Sequence, residues 1–161
     1  MRIPTILLAG AAAVLSACDT MLPPPGPAPL APAGAATLTT ANKAPYGSYV
    51  VDAAGRALYI LEGTRGRPGT NRCDAACLQV WPAIRAAGPQ VAGGRLNPAM
   101  IAVVPGYGGP QVSYAGWPLY YYVRDRVPSD TTGHYVRDQW GTWYLLSPSG
   151  EPIRTGGIRP Y

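Results

Sequence analysis

The chain has 161 residues, 47% hydrophobic and only 13% charged, with a formal net charge of +5. That size allows one domain with its own core and little more. The positive balance suits anionic headgroups or envelope polymers, but no basic helix or nucleic-acid motif accompanies it, so nucleic acid is excluded from the expected partners.

Arg2 is the only charge before Asp19, and it precedes a mostly apolar run over residues 3–14. A positive start, a short apolar stretch and small residues at its end are the layout of an export signal, here residues 1–17. The run falls short of the roughly 20 residues a membrane-spanning helix needs. Leu15-Ser16-Ala17-Cys18 resembles the lipobox of bacterial lipoproteins. That resemblance implies cleavage before Cys18 and lipid attached to it. Residues 18–41 then read as a spacer, with prolines at 23, 24, 25, 27, 29 and 32. Such a composition buries too little apolar surface to offset its ordering entropy, and its prolines hold it extended at about 3.1 Å per residue. Asp19 bears on sorting between inner and outer membrane, a choice that stays open.

Residues 42–148 read as the folded domain and 149–161 as a tail that could add a further hairpin. Val50 to Tyr59 is echoed by Val112 to Tyr120, one residue shorter at the turn, and more weakly by Tyr144 to Ile153. Each is a β-rich run, a glycine-bearing turn and a second run, the pattern of a β-hairpin. Along 119–123, residues 119, 121 and 123 face one way, and Tyr120 and Tyr122 the other. Helical periodicity is confined to Asp74–Val80, too short to stand alone. The expected fold is mainly β: repeated hairpins forming a small sheet or sandwich, with one short helix carrying cysteines. The chain has no phenylalanine, so four tryptophans and eleven tyrosines must supply the aromatic bulk. Core packing is favoured over a ligand platform for most of them.

Tyr120-Tyr121-Tyr122-Val123-Arg124-Asp125 matches a Tyr-x-(Phe/Trp/Tyr)-x-x-Asp motif. In this the chain resembles the secreted-repeat lipoproteins of unknown function. Tyr59-Ile60-Leu61-Glu62-Gly63-Thr64 is a degenerate first copy, with Leu61 at the aromatic position and Thr64 at the acid. Cys73 to Cys77 followed by Trp81-Pro82, Gly116 to Tyr120, and Asp130-Thr131-Thr132-Gly133 leading to Trp143 extend the likeness over residues 47–146. The resemblance implies an exported lipoprotein built on a repeat, and no activity.

Cys73 and Cys77 are the only cysteines besides Cys18. Outside the cytoplasm they are expected to form a disulfide. Because i,i+4 helical Cβ atoms stand about 5–6 Å apart, Cys73 belongs at or before the helix start. The bond would staple the preceding loop to the Trp81-Pro82 corner. The competing reading joins Cys73, Cys77 and His134 in a soft-metal site for Cu(I) or Zn(II). The spacing is similar to that of copper-binding assembly factors of respiratory oxidases, but those are thioredoxin-like and nothing here alternates strands with helices. Covalent haem is excluded, since Leu78 follows Cys77 where a histidine is required. His134 has Ser129, Asp130 and Asp138 nearby in sequence, yet no nucleophile elbow occurs. The acidic residues stand singly, without a pair for glycoside chemistry. Asp125 reads either as a ligand carboxylate beside Tyr120 and Tyr122, or as a strand-end aspartate bonding local N–H groups or Arg124 and Arg126.

The expectation is therefore a membrane-anchored cell-envelope lipoprotein, a non-catalytic binding or structural module and not an enzyme. Its partners would be the membrane, through the lipid on Cys18, and an envelope protein or polymer. No cofactor is expected; a copper-binding or redox lipoprotein using Cys73, Cys77 and His134 is the alternative.

Overall fold

The computed structural model describes residues 37–66, 72–86 and 88–156; residues 1–17, expected as an export signal, Cys18 and the proline-rich stretch lie outside them. The first strand, β1 (Thr37–Lys43), pairs antiparallel with β2 (Gly47–Asp52), in register from Leu38↔Asp52 to Lys43↔Gly47. Residues 37–41, expected as the end of the spacer, are instead part of β1. Their threonines favour extended backbone, and Leu38, their one large apolar residue, is fully buried. Composition averaged with the prolines before them hides both facts.

Next come β3 (Tyr59–Leu61), α1 (Ala75–Val80), β4 (Val91–Ala92) and a 3-10 turn at Pro98–Met100. A second hairpin follows, β5 (Ile101–Gly106) with β6 (Gly109–Tyr114), continued by β7 (Trp117–Pro118). The short β8 (Arg137–Asp138) and β9 (Gly141–Leu145) complete the order. Three small sheets result: β2-β1-β4, β3-β9-β8 and β5-β6-β7. The mainly β expectation, with repeated hairpins and one short helix, holds. In the turn before β7, Gly116 has φ +82, a conformation that costs glycine nothing.

The sheets are stitched together through Tyr59 and Tyr120. Tyr59 pairs with Leu145 on one side and Tyr120 on the other, and Tyr120 pairs in turn with Ala83. Alternate side chains along these segments enter different cores. Tyr59, Leu61, Tyr120, Tyr122, Trp143 and Leu145 enter one, with Cys73, Cys77 and Trp81. Leu58, Ile60, Leu119, Tyr144 and Leu146 enter the other, with Val112 and Trp117. Both faces of the central strands are thus covered, and no polar face remains to mark them in the sequence.

Helix α1 is a single short element held at both ends. Asp74 caps it, its carboxylate accepting the Cys77 N–H at 3.0 Å, and the Trp81 N–H donates to the Cys77 carbonyl at 2.7 Å. Cys73 stands just before the cap and is disulfide-bonded to Cys77, with Cα atoms 4.9 Å apart and both residues buried. The tail after residue 148 folds back: Leu146 bridges Pro152, and the Ile153 N–H donates to the Leu145 carbonyl at 2.9 Å. Ile153 is packed into the first core.

Candidate functional site

Tyr120, Tyr122 and Asp125 come from one extended segment and the turn that ends it. Tyr120 is fully buried and exchanges backbone hydrogen bonds with Tyr59, at 2.8 and 3.0 Å. Tyr122 stacks on Trp81 with ring centroids 4.2 Å apart. Asp125 closes its turn by donating its N–H to the Tyr122 carbonyl at 3.1 Å. One oxygen of its carboxylate then accepts the Tyr59 hydroxyl at 2.6 Å; the other accepts the Thr132 N–H at 2.9 Å and the Thr132 hydroxyl. Its donors are therefore Tyr59 and Thr132, remote in sequence or across the loop, and not Arg124 or Arg126. The one signal for Tyr59 was its place at the head of the degenerate first motif copy.

Around this pair the 125–133 loop is tied to itself. Asp130 accepts the N–H groups of Arg126 and Val127 at 2.8 and 3.1 Å, which hold its carboxyl below the usual range. Lys43 Nζ donates to the Ser129 carbonyl at 2.8 Å and to the Thr131 hydroxyl at 3.2 Å. The Gly133 N–H donates to the Tyr59 hydroxyl at 3.3 Å. A Cβ on Gly133 would lie 2.9 Å from the Tyr59 ring and 3.0 Å from Trp81, so the backbone approaches closer than any side chain would permit. Burial, reinforced by the Asp125 charge, pushes the Tyr59 phenol far above its ordinary value. Tyr49 is fully buried beside them, and its hydroxyl finds no partner among the described residues.

Trp81, Tyr122 and Trp143 form a second cluster. The indoles of Trp81 and Trp143 are stacked with centroids 3.9 Å apart and planes within 9°. A single oxygen of Asp138 accepts both indole N–H groups, at 2.8 and 3.0 Å, while the other accepts the N–H groups of Trp140 and Gly141. Nothing in the sequence assigned Asp138 this role, because the two tryptophans it joins are 62 residues apart. A third carboxylate, Asp52, takes the Arg56 guanidinium at 2.7 Å and the Tyr121 hydroxyl at 3.0 Å.

His134 is buried, and both ring nitrogens are engaged. Nδ1 accepts the Leu145 N–H at 3.2 Å, which leaves Nε2 to donate to the Thr155 carbonyl at 2.9 Å. Burial lowers its pKa, and the bond to Thr155 opposes that. With Cys73 and Cys77 joined to each other and both imidazole nitrogens bonded to backbone, the three residues do not make the ligand set that the metal reading required. No cluster of three or more His, Cys, Asp or Glu side chains is placed to hold a metal among the described residues. Nor do Ser129, Asp130 and Asp138 assemble round His134: each carboxylate is committed to other donors.

The aromatic residues mostly build the cores. Trp81, Trp143, Tyr49, Tyr59, Tyr114 and Tyr120 are fully buried, whereas Tyr107 is 54% exposed. A shallow open groove of about 430 Å³ runs past Val103, Val104, Pro105 and Pro110 at the end of the second hairpin. Its lining contains no titratable side chain and supplies no chemistry.

Residues 102–147 match the family model of a secreted repeat of unknown function. The matched segment contains Tyr120, Tyr122 and Asp125, and it bears out the family resemblance there; the earlier half of the domain lies outside the match. No curated protein and no solved structure matches the chain.

Proposed function

We propose that this chain is a cell-envelope lipoprotein, tethered by lipid on Cys18, whose β domain is a non-catalytic binding or structural module outside the cytoplasm. The observation that carries the reading is the order of Arg2, the apolar run and Leu15-Ser16-Ala17-Cys18, ahead of a proline-rich stretch. The match to a secreted repeat supports an exported location. No helix among the described residues is long and apolar enough to cross a membrane, and the apolar run over residues 3–14 is shorter than a span requires. The non-catalytic reading is supported by how the candidate groups are spent: Asp125, Asp130, Asp138 and His134 each bond internal donors or acceptors.

A partner in the envelope is favoured by the distribution of charge. Asp52, Glu62 and Glu151 are engaged in ion pairs, whereas Arg72, Arg95, Arg124, Arg126 and Arg137 are exposed and make none among the described residues. An anionic envelope polymer or protein surface suits that excess.

Cys18→Ser is the test. The variant is expected to leave the membrane fraction and appear in the soluble one with the Cys73–Cys77 disulfide intact. Continued sedimentation with membranes would place the anchor elsewhere and end this reading.

A further inference from the structure

Backbone hydrogen bonds recur in the chain at an offset of 61 to 62 residues, and they include segments that hairpin patterns do not mark. The Leu58 N–H donates to the Val50 carbonyl at 3.2 Å, and the Leu119 N–H to the Val112 carbonyl at 3.0 Å. The Val50 N–H donates to the Leu146 carbonyl and the Val112 N–H to the Ile84 carbonyl, both at 2.9 Å. The Glu62 N–H reaches the Thr142 carbonyl at 2.9 Å, and the Val123 N–H reaches the Val80 carbonyl at 3.1 Å. Tyr59 pairs with Leu145 as Tyr120 pairs with Ala83. Trp81-Pro82-Ala83-Ile84 is therefore the counterpart of Trp143-Tyr144-Leu145-Leu146, although only the tryptophan is shared.

The Leu58–Val50 and Leu119–Val112 bonds lie within a copy; the other pairs cross between copies. The segment that closes the first copy, residues 80–84, lies against Leu119–Val123 of the second. The segment that closes the second copy, residues 142–146, lies against Leu58–Glu62 of the first. At the centre, Tyr59 and Tyr120 exchange both of their backbone hydrogen bonds, and Trp81 stacks on Trp143. A residue meeting its own counterpart at two places is the signature of a local twofold axis, as in an isologous interface.

We infer that the repeat is half of a closed pair: each copy, residues 38–84 and 101–146, is completed by the closing strand of the other. The partner that a repeat's open sheet edge fits is another repeat. The segment matched by the family model, 102–147, is one such half with its own closing strand but without the strand that completes it. The exchange also explains why neither copy keeps a free edge at its third strand, where an unpaired ladder would invite association.

The test uses the full-length protein. A protease site is inserted between Gly88 and Pro89, both exposed, in the stretch linking the copies, and cut after folding. The Cys73–Cys77 disulfide lies within the first half and does not join the two. The halves are expected to co-elute at the mass of the intact chain and to part only in denaturant; halves that separate in native buffer overturn the inference. Amide exchange in the uncut chain gives a second readout. Ile84→Ala is expected to speed exchange at Val112 and Val123, in the second copy, about tenfold more than at Val50 and Glu62; Leu146→Ala should do the reverse. Acceleration that is uniform, or confined to the mutated copy, overturns it. Ile84→Val and Leu146→Val serve the same comparison if either alanine variant fails to fold.

Discussion

At His134 a single imidazole joins two segments, the Leu145 strand and the Thr155 tail, through opposite ring nitrogens. That arrangement holds only for the neutral ring, since a protonated Nδ1 has no lone pair for the Leu145 N–H. The direction of its pKa fixes the pH dependence. The folded value is depressed by burial, and an unfolded histidine titrates near about 6.5. On acidification the unfolded chain takes the proton first, so stability is full above about pH 6.5 and is lost as pH falls through the folded value. The urea midpoint is expected to drop over that window, and His134→Gln should flatten the drop while lowering the midpoint at neutral pH. A variant with the wild-type slope would assign the effect to another group. Asp125 acts on the same scale. Two segments donate to its carboxylate, Tyr59 from β3 and Thr132 from the loop, which is why the motif ends on an acid in the turn after the extended segment.

Among the elements, α1 depends most on others. Six residues cannot sustain a helix in water, and its cap and its disulfide act on the same first turn. The closed loop is short, so the stabilisation should sit at the low end of the usual range. Replacing Cys73 and Cys77 together by alanine is expected to cost about 2 to 4 kcal/mol, the upper part from lost packing of two buried sulfurs. Chemical denaturation measures it. No loss of stability would mean that Asp74 and Trp81 alone hold the helix. The two closing segments differ: 142–146 lies largely in β9 whereas 80–84 has only an isolated bridge at Ala83, yet the carbonyls of both complete pairing in the other copy.

For the whole molecule, the two cores share one set of central strands, and disrupting one uncovers the other. Phenols report on this. Tyr59 and Tyr121 are both held far above their ordinary values, chiefly by burial and then by Asp125 and Asp52 respectively. The folded state keeps these protons while the unfolded state releases them near about pH 10. Stability is therefore full below that pH and lost as pH rises through and above it. Phenolate absorbance from Tyr59 and Tyr121 is expected to appear in a cooperative step that coincides with loss of far-ultraviolet circular dichroism. Ionisation of all eleven tyrosines ahead of unfolding would contradict the burial that the two cores impose.

Much was legible from local patterns. The proline-rich stretch, hairpin turns and the short helix are each written in a few adjacent residues, because their physics is local: a proline's fixed φ, a glycine's φ, a capping carboxylate, two thiols four apart. The motif residues Tyr120, Tyr122 and Asp125 were visible in the same way, and so was the mainly β class. What only the tertiary structure decided is who meets whom. Asp125 finds Tyr59, Asp138 finds two indoles, His134 is bonded at both nitrogens, and each copy receives the other's closing strand. Those pairings join residues tens of positions apart, in strands buried on both faces. There the alternation that marks a strand's inner side disappears, so no local pattern could have carried them.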